Sequence, residues 1–215
     1  MSLTRGQIAA GIRDLTEMIA QWRLWHMLAW RDIKQRYRRS TLGPLWLTIS
    51  MAVQMLVIGL LFTTLFQLRI ERFLPFLAVG LVFWGLIHGV INEGAGAILG
   101  AQGFIVQIHR PLSIYVAQTV WRNTIVLWHN FVIVIVIVII FKVAPNTTSI
   151  WLWPIGLILV LLCLSWIALV AAVISVRFRD FPMILQNMFT ALFWLTPVMY
   201  TPDLLRDKKY LLDFN

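Results

Sequence analysis

Residues 131–141 read Phe131-Val-Ile-Val-Ile-Val-Ile-Val-Ile-Ile-Phe141, an unbroken apolar run in which nine of the eleven side chains are β-branched. In water such a run predicts a buried strand, because β-branched side chains favour the pleated backbone. In lipid the same residues must satisfy every backbone N–H and C=O within their own segment, and a single segment does that only as a helix. What surrounds the run decides between the two.

The surroundings are apolar as well. Of 215 residues, 60% are hydrophobic and only 13% charged, too few charges to cover a soluble surface. Eight of the 18 Lys and Arg residues precede Gly43, and long uncharged stretches follow. A bilayer imposes this segregation, since one charge at its centre costs about 2.5–3.5 kcal/mol on the mildest scale. Residues 43–66 form 24 positions without a charge, about 36 Å as a helix and enough to cross. A second span is expected at 73–92 after a short linker, interrupted in polarity only by His88. The opening run falls in a third span at 124–141. A fourth lies within 150–176 and a fifth within 181–200, with Pro182 near its start and Pro197 near its end. The predicted fold class is all-α integral membrane: an N-terminal amphipathic interface helix plus about five transmembrane helices.

Three regions flank or interrupt these spans. Residues 1–42 are an amphipathic and basic arm: Ile12, Leu15, Ile19, Trp22 and His26 recur at helical spacing, and a basic run covers Arg31 to Arg39. Residues 92–123 combine Gly94, Gly96, Gly100 and Gly103 with Glu93, His109, Arg110, Pro111 and Arg122, too polar to span and too apolar for a loose loop. That pattern predicts one or two short helices at the membrane face, broken at Pro111. The tail, residues 203–215, is short and charged. The arm, the 92–123 segment and the turn at Arg177 hold twelve Lys and Arg against six on the opposite side, so the N-terminus is expected in the cytoplasm.

Several chemistries find no support. No G-x-x-x-x-G-K-[ST] phosphate loop occurs, so no cofactor is expected in this chain. His26, His88, His109 and His129 are dispersed, without metal-ligand spacing. A coupled pump normally buries carboxylates at mid-membrane, and only Glu93 sits even at a span edge. The net charge of +9 flanks apolar spans and does not call for nucleic acid. Cys163 is expected as a small core residue, and no apolar stretch near the N-terminus reads as a secretory signal. Asp180 beside Arg177 and Arg179 reads as a turn fixed by a salt bridge rather than as a catalytic acid. Within the spans, Trp84, His88, His129, Asn130 and Trp194 are candidates to line a path for a neutral hydrophilic cargo, because aromatic faces stack on sugar rings and amides bond hydroxyls. Interfacial anchoring accounts almost completely for Trp46, Trp151, Trp153 and Tyr200.

Arg31-Asp-Ile-Lys-Gln-Arg-Tyr-Arg-Arg-Ser-Thr-Leu-Gly-Pro-Leu-Trp46, Pro111-Leu-Ser-Ile-Tyr115, Trp121-Arg-Asn123, His129-Asn130, Val176-Arg-Phe-Arg-Asp180 and Leu195-Thr-Pro-Val-Met-Tyr200 follow one another along the chain. In order and spacing they resemble the permease subunits of ABC exporters for polysaccharides and polyol phosphates such as O-antigen, capsule or teichoic acid. The resemblance implies a homodimer, six spans, a bacterial inner-membrane location and a separate ATP-binding cassette subunit that carries ATP and Mg. It also implies that a coupling helix in the 103–113 region docks on that ATPase, through Gln107, His109, Arg110 and Pro111, with the Arg177, Arg179 and Asp180 turn as a secondary contact. Arg31, Lys34, Arg36, Arg38 and Arg39 are expected to meet membrane lipid or the head of a lipid-linked glycan. Family members continue past a motif like Leu211-Leu-Asp-Phe-Asn215 into a sixth span, so a missing last span is a further expectation. A drug or small-lipid exporter, a membrane-embedded sugar-transfer enzyme and a purely structural subunit are the rival readings.

Overall fold

A computed structural model describes residues 5–107, 110–143, 147–198 and 200. The basic arm forms two helices rather than one, α1 (Arg5–Ala20) and α2 (Trp22–Arg36), with the break at Gln21. The chain then turns through Gly43, whose φ of 56° lies in the left-handed region that glycine occupies without penalty, and enters α3 (Leu45–Phe66). Gln67, also left-handed, closes α3 and starts a three-residue turn into α4 (Ile70–Ala95). Two short helices follow, α5 (Ala97–Gly100) and α6 (Gln102–Gln107). After Pro111 the long α7 (Ser113–Ile140) begins, then α8 (Thr147–Arg177) and α9 (Phe181–Leu195).

The run that opened the sequence analysis is helical. Along it Asn130, Ile133, Val134 and Ile137 are buried, the i, i+3, i+4, i+7 pattern of one helix face. Val132, Ile135, Val136 and Ile139 point outward, as lipid permits. The helix starts at Ser113, eleven residues before the expected Thr124, so the polar half of the 92–123 segment is part of it. Among the described residues four helices are long and apolar enough to cross a bilayer: α3, α4, α7 and the 151–177 part of α8. The fifth apolar helix, α9, is shorter. Its 15 residues cover about 22 Å, and Pro197 forces Thr196 into an extended conformation at ψ 138°.

The centre of the bundle is α4, which packs against α3, α7, α8 and α9. Leu77, Ala78, Val90 and Ala95 on it are fully buried. Close approach is made possible by small residues: a Cβ on Gly94 would meet the Ala168 Cβ of α8 at 2.7 Å, and one on Gly89 would collide with the Asn123 amide of α7. By contrast α3 buries only Met55 and Gly59 and presents Val53, Leu56, Val57, Leu60 and Leu61 to its surroundings. Cys163, expected in the core, is exposed on α8, because the buried positions there are Leu157, Leu164, Ala168, Ala171 and Ala172. The up-and-down connection of the spans gathers α2, α5, α6, the start of α7 and the α8–α9 turn at one end of the bundle.

Candidate functional site

At that end three consecutive residues of α7 tie the arm to the spans. The Trp121 ring meets Trp25 edge-on at 5.9 Å and His26 at 5.4 Å, both from α2. Arg122 reaches both neighbouring elements: Nη1 donates to Asp32 Oδ2 of α2 at 2.6 Å, and Nη2 to Glu93 Oε2 of α4 at 2.9 Å. The Asn123 amide donates to the same Glu93 oxygen at 2.9 Å. Gln118 adds a bond to Asp32 at 2.7 Å, and Arg36 approaches the other Glu93 oxygen at 3.7 Å. A planar guanidinium with five donors suits this double role, because its fixed fork presents donors to both carboxylates at once. In the sequence Glu93 stands at a span edge and Arg122 within a polar set, and neither position signals this pairing.

A second link fixes α1. Asp14 accepts the backbone N–H groups of Leu112 and Ser113 at 2.8 and 3.1 Å, capping the first turn of α7 from another helix. Those N–H groups have no partner within α7, and the carboxylate also opposes the positive end of the helix dipole. Beside it, Arg110 donates to the Gln21 side-chain oxygen at 2.8 Å, which places the arm's break against the residue that precedes Pro111.

Between α2, α5–α6 and α7 lies a cavity of about 1120 Å³. Arg31, Lys34 and Arg38 line it from the arm and Arg110 from the other wall, while Leu28 and Phe104 supply apolar surface. The five arm cations expected to act together are therefore divided. Arg36 turns to Glu93, and Arg39 is exposed outside the cavity lining.

The expected path residues also separate. Trp84 contacts Phe189 and Phe193 of α9 at 6.0 and 5.6 Å, and His88 meets Phe189 edge-on at 6.0 Å. With Gln54 of α3 they border a groove of about 280 Å³. His129 is elsewhere: its Nδ1 lies 2.8 Å from the Ile125 carbonyl, and its own carbonyl accepts the Thr48 hydroxyl at 3.2 Å. Asn130 is buried, and among the described residues its side-chain oxygen has no hydrogen-bond partner. Trp194 is exposed and edge-on to Phe193, and it is not part of the lining of the groove that Phe193 borders.

Of the expected coupling residues, Gln107 ends α6 exposed, Pro111 is buried, and His109 lies outside the described residues. Two apolar residues of α6 join them: Phe104 and Val106 are 65% and 83% exposed, against the rule for apolar side chains in a packed helix. Arg177, Arg179 and Asp180 are exposed at the α8–α9 turn. Among the described residues no ion pair joins Asp180 to either arginine, so the turn is not fixed by a salt bridge. It is closed by backbone bonds, Phe178 N–H to the Ile174 carbonyl at 2.8 Å and Phe181 N–H to the Phe178 carbonyl at 3.1 Å.

An arm latched onto an α-helical bundle of spans, with a short exposed helix at the same end, is matched by the profile of one family. The "ABC-2 type transporter" membrane profile aligns with residues 23–212. The chain belongs to that family. This ABC-2 chain is a multi-pass membrane protein, and the profile spans the arm's second helix, all the described spans and the α8–α9 turn together. It is 30% identical over 200 residues to the O-antigen export system permease protein RfbA of Myxococcus xanthus, covering 92% of this chain and 75% of that protein. A permease of the same name from Klebsiella pneumoniae is 20% identical over 180 residues, covering 83% and 69%.

Proposed function

We propose that this chain is the permease subunit of an ABC exporter that moves a lipid-linked polysaccharide, or a similar polyol phosphate, outward across a bacterial inner membrane. One observation carries the reading: 92% of the chain aligns at 30% identity with a protein named as an O-antigen export permease. A second copy of the chain completes the passage, and a separate ATP-binding cassette subunit supplies the power. The chain's own part is transport rather than catalysis. The N-terminus lies in the cytoplasm, where the basic arm and the α8–α9 turn meet the ATPase side.

The geometry supports a division of labour. On the ATPase side, α6 offers Phe104, Val106 and Gln107 outward, with His109 and Arg110 following and the Arg177–Arg179–Asp180 turn as a second contact. An exposed apolar pair on a six-residue helix has no stabilising value alone and suits insertion into a partner's groove. Movement of that segment reaches the spans through Arg110–Gln21 and the Asp14 cap, then through Asp32, Arg122 and Glu93. Along the spans, Trp84 and His88 beside Gln54 combine aromatic faces with hydrogen-bonding groups, as passage of a sugar chain requires. The broad apolar faces of α3, α8 and α9 are available to lipid and to the second copy.

The test is affinity purification of the tagged chain from membranes, with ATPase activity measured on the detergent-solubilised material. Co-purification of a phosphate-loop ATPase is expected, and Val106→Asp is expected to abolish it while membrane insertion persists. A chain that inserts and dimerises yet brings down no ATPase refutes the reading. Turnover of a sugar substrate by the chain alone points instead to the sugar-transfer enzyme.

A further inference from the structure

Fixed charge is missing from the spans altogether. Residues 45–66, 73–92, 123–141, 151–176 and 181–195 contain no Lys, Arg, Asp or Glu. They do contain neutral polar side chains, and the bundle distributes these unevenly. On α8 every exposed residue in 151–176 is aliphatic or aromatic, apart from Pro154, Gly156 and Cys163. By contrast Gln54 on α3 and Gln186, Asn187 and Thr190 on α9 are exposed. Gln54, His88 and Thr190 line the groove of about 280 Å³ together with Trp84, Phe189 and Phe193. Gln54 is the tenth of the 22 residues of α3, about 14 Å from its start. Among the described residues no hydrogen bond holds its side chain. An amide at that depth is penalised if it faces hydrocarbon, so it requires an occupant that hydrogen-bonds, where α8 requires none.

The same walls set the charge of that occupant. A phosphodiester on every repeat of a polymer would hold anions inside the spans for the whole of export, and pores for anions and phosphates line their walls with Arg or Lys. Here Arg36 and Arg122, at the inner end, already face Glu93 and Asp32. Arg69, Arg72 and Lys142 stand at the outer ends of α4 and α7. Sugar hydroxyls need only neutral donors and acceptors and an aromatic face, which Gln54, His88, Thr190 and the Trp84 indole supply.

We infer that the groove between α3, α4 and α9 selects for an uncharged glycan and against a phosphodiester polymer, with Gln54, His88 and Thr190 as its hydrogen-bonding set. The inference deepens the export reading and rests on it for the groove's place in the passage: of the two cargo classes it assigns polysaccharide and excludes polyol phosphate. It concerns the repeating units, not the head by which a lipid carries them, which crosses once per chain.

The experiment measures cysteine modification in the full chain in phosphatidylcholine nanodiscs. Gln54→Cys and Thr190→Cys are each made in a Cys163→Ala background and reacted with two water-borne probes, an uncharged glucosyl methanethiosulfonate and the anionic sulfonatoethyl methanethiosulfonate. Each rate is divided by that of the same reagent with free mercaptoethanol. Both cysteines are expected to react with the glucosyl probe at least about tenfold faster than with the anion. Cys163 of the unaltered chain, exposed on the apolar face of α8, is the lipid-facing reference and should react with neither. Gln54→Arg added to Thr190→Cys should raise the anion's rate by about tenfold, because it supplies the cation that the groove lacks. Groove cysteines no more reactive than Cys163 would mean that the amides face lipid, and equal rates for the two probes would mean no selection by charge; either overturns the inference. Failure of the ATPase to co-purify with the selectivity intact would remove the export reading and leave a sugar-admitting groove. A co-purified ATPase with lipid-like groove cysteines would keep the export reading and refute the groove.

Discussion

Replacing Arg122 with Gln removes one guanidinium and leaves two carboxylates, Asp32 and Glu93, facing each other's elements without their main partner. Breaking a fully buried ion pair in this way costs about 3–5 kcal/mol. Here the Arg122 side chain is 17% exposed but those of Asp32 and Glu93 are 32% and 35% exposed, so water recovers part of the loss. About 2–3 kcal/mol is the expected destabilisation. For a chain of this length that corresponds to a fall in Tm of roughly 4–12 °C. The assay is thermal unfolding of the detergent-solubilised protein, read by tryptophan fluorescence. Trp121 and Trp25 sit next to the network and contribute to that signal. Arg13→Gln is the comparison: it breaks an exposed pair with Glu17 at 2.7 Å and should shift stability by no more than about 0.5 kcal/mol. A double-mutant cycle with Glu93→Gln should return a coupling of roughly 1–3 kcal/mol, because each single variant already removes the Arg122–Glu93 pair and the double variant cannot lose it twice. Strict additivity, or a shift no larger than that of Arg13→Gln, would refute the claim that Arg122 holds the arm to the bundle.

Two other outcomes follow from the packing. Gly94→Val should destabilise by about 1–3 kcal/mol in the same unfolding assay, since even a Cβ there meets Ala168 at 2.7 Å, whereas Gly100→Ala, with nothing within 4 Å, should be near neutral. Asp14→Ala should cost about 1–2 kcal/mol by removing the cap on α7. Hydrogen exchange should show it as faster exchange confined to the Leu112 and Ser113 amides; unchanged protection there would mean the cap is dispensable.

The sequence by itself determined the class of fold. The cost of a charge in lipid falls on each residue where it stands, so spans are visible as uncharged runs without knowledge of any contact. That local penalty located α3 and α4 to within a few residues and turned the β-branched run at 131–141 into a helix. It also made the basic arm legible as an element apart. Proline was equally local: Pro111 and Pro197 mark where a helix starts and where one stops. Local rules failed where the chain is mixed in character. Residues 113–123 looked too polar to join a span, yet they are the first three turns of α7, because their polar groups are satisfied by α1, α2 and α4 rather than by water.

Only the tertiary structure decided which of the charged residues act together. Arg122 is 90 residues from Asp32 and 29 from Glu93 in the chain, and no helical spacing connects them. The five arm cations read alike in sequence; α2 and the turn after it send Arg31, Lys34 and Arg38 to the cavity, Arg36 to Glu93 and Arg39 to the outside. Trp84 and His88 share a groove because they lie four residues apart on α4, whereas His129 and Asn130 belong to another helix with its own neighbours. Solvation energy is a property of each residue and survives in the linear sequence. Pairing energy is a property of distances between helices, and those exist only after α4 has brought α3, α7, α8 and α9 around itself.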